Sequence, residues 1–427
     1  MIAGPGGAPG RPQIETIGAF RHVSIQRRLM RTADRIADLF GVLQGPFEAE
    51  AFLATACRKA GLAAFPAPEV VGPMRRFLTA LDAEAGLSVL GRTAVHWDVL
   101  RLLGNLARFA QEEARNPSIT GQTIRAPVFV LGLPRAGTTF LHELMAQDPV
   151  VLAPRCWQTI HPWPVNAAGA PDRRVAVADR QLRSFAMLAP DFAHLHPIQG
   201  DSVQECTEIT AHCFQSLRFD TLHDIPSYRA WLDAEGHLPA YRFHRRFLQH
   251  LQVQAAPGRW VLKCPDHVFA LAAIRAVYPD AHFIFVHRDP LRVLASVARL
   301  TEVLREPFAR VIDRARIGEQ VTRHWEAGAA HMVALPPDPA AHTHIQYREL
   351  VSDPMATIRH LYARTGMALS PAAEARMAAH LAARPDGGYG RHSYRFEDHH
   401  LDPGALAERF RPYMRHFAIA GETDWTR

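Results

Sequence analysis

The eight residues Gly132-Leu133-Pro134-Arg135-Ala136-Gly137-Thr138-Thr139 carry the densest chemistry in the chain. Their two glycines have the GxxxxG spacing of a phosphate loop. Glycine permits the torsions that turn successive N–H groups towards one oxyanion. A helix starting at Thr138 would add the partial positive charge of its N-terminus, and Thr138 and Thr139 add hydroxyl donors. An anionic group, most simply a phosphate, should sit here. The loop departs from the Walker A pattern at a decisive place. Thr138 stands where a lysine follows the second glycine, and the cation comes earlier, as Arg135. A nucleoside triphosphatase needs that lysine and a Mg²⁺ held by an acidic residue. Asp289 follows a strand but reads better as a helix cap. The plainer alternative for the loop is a tight turn whose glycines serve only the backbone.

A second constellation is His287-Arg288-Asp289-Pro290, with Ser296 eight residues beyond Arg288. Arginine at the end of a parallel strand can grip a phosphate through two N–H groups. Ser296 lies about two turns into the following helix and can reach the same group. Taken alone, Arg288 reads equally well as a surface arginine. Together the two sites suggest a nucleotide phosphorylated at both ends of its ribose. Lys263 stands at a third strand end, where a lysine lying over its own apolar stem is the bland reading.

The elements that must position these residues follow from apolar patterning. Residues 127–131 form a continuous, β-branched apolar run bounded by Gly132, a buried parallel strand. Residues 138–147 read as a helix with Phe140, Leu141, Leu144 and Met145 on one face. Further strands are expected over 259–264, 281–286 and 342–346, with a helix over 266–278 between the first two. Asp289-Pro290 and Asp353-Pro354 each give an N-cap followed by proline at the first helical position, the second helix ending at Gly366. Strands alternating with helices imply an α/β fold: a P-loop-like parallel sheet flanked by helices, with an additional N-terminal helical region. We divide the chain into a disordered tail (1–20), a helical region (21–120, with a helix over 97–113) and an α/β domain (121–427) carrying a helical insertion at about 157–251.

The loop LPRAGTTF and the segment HRDPLRVLAS resemble the 5′-phosphosulfate and 3′-phosphate motifs of sulfotransferases that use 3′-phosphoadenosine 5′-phosphosulfate (PAPS). More specifically, the chain is similar to bacterial sulfotransferase-family proteins and, in its loop, to the tyrosylprotein sulfotransferases. The resemblance runs from about residue 126 to the end. It implies that Arg135 is the loop's catalytic cation and that Ala136, Gly137, Thr138, Thr139 and Phe140 wrap the 5′-phosphate. It implies that Arg288 and Ser296 bind the 3′-phosphate and that Tyr347, in QYREL, lies near the adenine. Arg391, in the late segment Gly390-Arg391-His392, would also meet the 3′-phosphate. Lys263, in VLKCPDH, resembles a lysine that contacts the transferring group. PAPS is then a co-substrate, and the reaction is an in-line sulfuryl transfer to a hydroxyl or amine, without a metal. The acceptor would be a small molecule or a peptide. Tyrosylprotein relatives place a glutamate base shortly after the loop helix. Here Gln158 stands at that place, and glutamine cannot be a base. His267 is the first alternative, Glu205 and Glu208 the second, His161 the third. The competing readings are a P-loop kinase or NTPase and a non-catalytic nucleotide-binding protein.

Composition bounds these readings. The chain has 427 residues, 48% hydrophobic and 21% charged, an ordinary globular balance. A net charge of +6 suits an anionic ligand, and no block of like charges signals a nucleic-acid arm. Apolar runs fall far short of the roughly 20 residues of a spanning helix, so no stable membrane insertion is expected. The Gly/Pro-rich first dozen residues lack an apolar secretory core, and the five cysteines form no CxxC pair, so a reducing cytoplasmic setting is expected. No HExxH or paired Cys/His spacing appears among the 24 histidines, so no metal is expected. Trp157, Trp163, Phe185, Phe192, Phe214 and Trp231 are candidates for an apolar acceptor pocket, or for plain core.

Overall fold

The computed structural model describes residues 32, 34–37, 39, 45–164, 172–189, 191–192, 198–384 and 395–422. The expected N-terminal tail and Arg391 lie outside the described residues. The apolar run after Pro127 forms β1 (Val128–Gly132), buried along its whole length, as its unbroken apolar pattern requires. Four strands join it: β2 (Val151–Leu152), β3 (Arg259–Lys263), β4 (His282–His287) and β5 (His342–Gln346). The order is β2-β3-β1-β4-β5, and every pairing is parallel. Two-residue β2 is the strand that patterning missed; it is too short to show any period.

Side chains alternate between two cores, as the pleat demands. Phe129 and Leu131 of β1 face the larger core, with Leu262, Phe283 and Phe285. Ahead of the sheet, α1 (Ala49–Ala60), α2 (Val71–Glu84) and α3 (Val89–Arg115) bury their apolar stripes in that same core. The α3 helix starts eight residues before the expected Trp97, because Ser88 caps it by accepting from the Gly91 N–H at 3.0 Å. Val128 and Val130 face the smaller core with α4 (Thr138–Met145). Each fully buried Phe or Leu here contributes about 1.5–3 kcal/mol.

The insertion expected at 157–251 contains α5 (Cys156–Ile160), α6 (Arg174–Leu188), α7 (Arg218–Leu222) and α8 (Leu238–Gln252), among other short helices. The helix expected over 266–278 is broken. A 3-10 helix covers Pro265–Phe269, then α9 runs Leu271–Val277. The i→i+3 bonds from His267 to Cys264 and from Ala270 to His267 show the tighter winding. After β4 come α10 (Pro290–Arg305) and α11 (Arg314–Ala334), and after β5 a short helix (Tyr347–Ser352) and α12 (Pro354–Thr365). Asp289 and Asp353 cap α10 and α12 as expected. A final helix, α13 (Pro403–His416), packs on α11.

Candidate active site

Strand register brings the chemistry together. Val130 of β1 pairs with Lys263 of β3, Gly132 with Val286 of β4, and His287 of β4 with Gln346 of β5. The loop after β1, Lys263, Arg288 and Tyr347 therefore emerge at one edge of the sheet, beyond its C-terminal strand ends, where α/β sheets bind ligands.

The loop is as tight as its sequence demands. A side chain on Gly132 would stand 2.3 Å from the Val286 carbonyl oxygen, and one on Gly137 would stand 2.8 Å from the Tyr347 ring. Gly137 has φ +92°, and Arg135 itself holds φ +60°, a strained value for a residue with a side chain. The turn delivers the first N–H groups of α4 to the edge, with Thr138 and Thr139 behind them. Ala136 is completely buried beneath the loop.

Arg288 ties the edge together. Its Nη1 donates to the carbonyl oxygen of Arg135 at 2.9 Å, and its guanidinium lies 3.9 Å from the centre of the Tyr347 ring. Its remaining N–H fork holds the carboxylate of Glu422. Ser296, on α10, is nearly buried. On the other side, Lys263 Nζ donates to Thr139 Oγ1 at 3.0 Å and to Glu205 Oε1 at 2.6 Å. Lys263 is only 2% exposed, so this ammonium is a fixed charge rather than a surface lysine.

Above the edge lies a cavity of about 1480 Å³. Arg135, Gly137, Thr138, Thr139, Phe140, Arg288, Ser296 and Tyr347 line one part of it, with Glu205 and Glu208 beside them. The cavity wall also carries apolar side chains, Leu182, Phe185, Phe192, Leu300, Leu304 and Phe308. Of the six aromatics singled out from the sequence, Phe185 and Phe192 reach the cavity. Phe214 is core, Trp231 packs against the core, and Trp157 and Trp163 carry Arg174 and Arg108 on their faces.

Comparison with known proteins decides the family. A model described as "Sulfotransferase family" matches residues 127–371, from the first strand past the last, more than half of the chain. The chain belongs to the sulfotransferase family. It is a transferase, and its chemistry is sulfuryl transfer. This sulfotransferase is 26% identical to the omega-hydroxy-beta-dihydromenaquinone-9 sulfotransferase Stf3 of Mycobacterium bovis, over 63% of the chain and 69% of that protein. Among solved structures, sulfotransferase STF1 from Mycobacterium tuberculosis is 28% identical with a TM-score of 0.73, covering 85% of this chain and 98% of that one. Sulfotransferase STF9 from Mycobacterium avium is 25% identical with a TM-score of 0.79, covering 88% and 100%.

The four residues weighed as bases in this sulfotransferase separate clearly. His267 is completely buried and does not line the cavity; its Nδ1 pairs with the Tyr241 hydroxyl. Burial, then the nearby His244, Lys263 and His142, hold its pKa well below the usual histidine value. The 3-10 winding of 265–269 turns its ring into the core, away from the cavity. His161 also lies off the cavity wall, and burial, followed by Arg101, Arg174 and Arg108, draws its pKa down to about 4. Gln158 spends its side chain as a cap, accepting from the Arg155 N–H at 2.9 Å. Glu205 and Glu208 do face the cavity; Glu208 is held by Arg218 at 2.9 Å, and Arg218 in turn by Asp98.

Sequence reasoning missed Asp266. It lines the cavity, and burial, reinforced by the neighbouring Glu205, pushes its pKa up to about 7. The only signal was its place three residues after Lys263. Among the described residues no group of three His, Cys, Asp or Glu side chains is arranged to hold a metal, and no helix is long and apolar enough to cross a membrane.

Proposed function

We propose that this sulfotransferase takes PAPS as its donor and transfers the sulfuryl group to the hydroxyl of an apolar alcohol. The observation that carries the donor reading is the link between the two anion-binding features. Arg288 bonds to the phosphate loop itself, through the Arg135 carbonyl. A single nucleotide charged at its two ends fits that pairing. The backbone N–H groups from Gly137 onward, with Thr138 and Thr139, would hold the 5′ end. Arg288 and Ser296 would hold the 3′-phosphate. The positive-φ loop, with no room for a Cβ at Gly137, is the kind of cradle in which backbone approaches an oxyanion closely.

In the proposed reaction the acceptor oxygen attacks sulfur in line, the sulfur–oxygen bond to the 5′-phosphate breaks, and the acceptor proton passes to Glu205. Glu205 is the carboxylate fixed beside the loop by Lys263. The ammonium of Lys263, anchored also to Thr139, and the guanidinium of Arg135 stabilise the charge that grows on the leaving phosphate. Holding donor, acceptor and base in one frame supplies much of the remaining acceleration.

The acceptor reading rests on the cavity. Its volume of about 1480 Å³ exceeds the roughly 300–1,000 Å³ of a site for one drug-sized ligand, so it has room for two reactants. Its apolar walls favour an acceptor with a large hydrocarbon body. The similarity to a sulfotransferase named for omega-hydroxy-beta-dihydromenaquinone-9 points the same way. Incubation with ³⁵S-labelled PAPS and a panel of primary alcohols of increasing chain length tests the proposal. Label should move to the long apolar alcohols. Transfer to short polar alcohols alone would refute the acceptor assignment, and no transfer from PAPS to any acceptor would refute the donor.

A further inference from the structure

Arg288 already grips an anion, and that anion belongs to the chain. Its Nε donates to Glu422 Oε1 at 3.0 Å and its Nη2 to Glu422 Oε2 at 3.2 Å, a two-pronged guanidinium–carboxylate pair. Arg292, in the first turn of α10, reaches Glu422 Oε2 at 3.3 Å. The backbone N–H of Glu422 donates to Asp289 Oδ2 at 2.9 Å, while the other oxygen of Asp289 caps α10. The segment after α13 is thus pinned across the start of α10 by four contacts, and three of them come from the two arginines.

A carboxylate seated on a guanidinium fork uses the same two N–H groups that a phosphate would use. Both cannot hold them at once. The rest of the Arg288 environment, the bond to the Arg135 carbonyl and the Tyr347 ring, is independent of Glu422 and would stay in place when the anion changes. A phosphate monoester brings more negative charge than a carboxylate to the same two cations, so it has the stronger Coulombic claim.

We propose that Glu422 is an internal competitor for the donor's 3′-phosphate: its carboxylate occupies the Arg288–Arg292 pair until the nucleotide displaces it, and Arg292 is the second guanidinium of that phosphate site. This rests on the reading of PAPS as donor. The apparent affinity for the nucleotide is reduced by the fraction of molecules in which Glu422 holds the fork. If that fraction is about 80–90%, freeing the fork raises the affinity about 5- to 10-fold.

Calorimetric titration of the full chain with adenosine 3′,5′-bisphosphate and with adenosine 5′-phosphate tests this. Glu422→Gln keeps the side chain's shape and removes its charge. It should bind the bisphosphate about 5- to 10-fold more tightly and the 5′-phosphate unchanged. Adding Arg292→Gln to that variant should weaken the bisphosphate and leave the 5′-phosphate unchanged. Equal or weaker bisphosphate binding by Glu422→Gln, with wild type still binding, overturns the competitor role alone. A gain for both nucleotides alike overturns it as well. Absence of bisphosphate binding in wild type and variant together overturns the donor reading, and this inference with it.

Discussion

The Nη1 of Arg288 lies 2.9 Å from the carbonyl oxygen of Arg135, so the end of β4 and the loop after β1 are one hydrogen-bonded unit. The bond joins the arginine proposed for the donor's 3′-phosphate to the backbone proposed for its 5′ end. A change at either residue should therefore be felt at both ends of the nucleotide.

Arg288→Ala removes a charge-assisted fork of the kind that contributes about 1.5–3 kcal/mol, and it also frees the Arg135 carbonyl. The KM for PAPS should rise about 10- to 100-fold. Steady-state kinetics with varied donor reads this directly, and an unchanged KM would remove Arg288 from the donor site.

Lys263 and Glu205 should separate binding from chemistry. Glu205→Gln keeps a hydrogen-bonding partner for Lys263 and removes the proposed proton acceptor, so kcat should fall about 10²- to 10⁴-fold with little change in donor KM. Lys263→Ala should also lower kcat more than it raises KM. Equal losses in both parameters would reduce Lys263 to a binding residue.

The two loop glycines should differ in severity. At Gly137, alanine meets the flexible edge of the Tyr347 ring and a left-handed φ costing about 1–2 kcal/mol. Gly137→Ala should fold and lose donor affinity. At Gly132 the obstacle is the Val286 carbonyl of the neighbouring strand, which cannot give way without breaking the sheet. Gly132→Ala should lower the melting temperature more than Gly137→Ala; the reverse order in thermal melts would contradict this geometry.

Asp266 carries a stability cost that depends on pH. Burial, then Glu205, raises its folded pKa from 3.8 to about 7. A carboxyl held neutral by the fold is harmless below its unfolded pKa, and its penalty grows as pH climbs towards the folded value. Asp266→Asn should therefore stabilise the protein at pH 8, by up to about 4 kcal/mol, and have little effect near pH 4. Denaturant titrations at the two pH values check this, and an equal effect at both would contradict it.

The sheet edge was legible in the sequence because each part is local. β1, the glycine spacing and the Asp-Pro caps each announce themselves within about eight residues. What was hidden depends on winding or on distance along the chain. The 3-10 turn after Pro265 decides that His267 points into the core and that Asp266 reaches the cavity, and spacing read as an α-helix cannot show that. Gln158 matched the place of a glutamate base, yet its side chain is taken by the Arg155 N–H. Glu205 became the favoured base only once it was seen against Lys263, 58 residues away. Glu422 lies 134 residues from Arg288, and nothing in its neighbours marks it as a partner.

The central claim is that one sheet edge holds an adenosine nucleotide by phosphates at both ends. Calorimetry on the wild-type chain with adenosine 3′,5′-bisphosphate, adenosine 5′-phosphate and ATP with Mg²⁺ tests it most directly. The bisphosphate should bind about 10- to 100-fold more tightly than the 5′-phosphate, the ratio expected from one arginine-held phosphate. Equal affinity for the two, or tighter binding and turnover of Mg²⁺-ATP, would contradict the account.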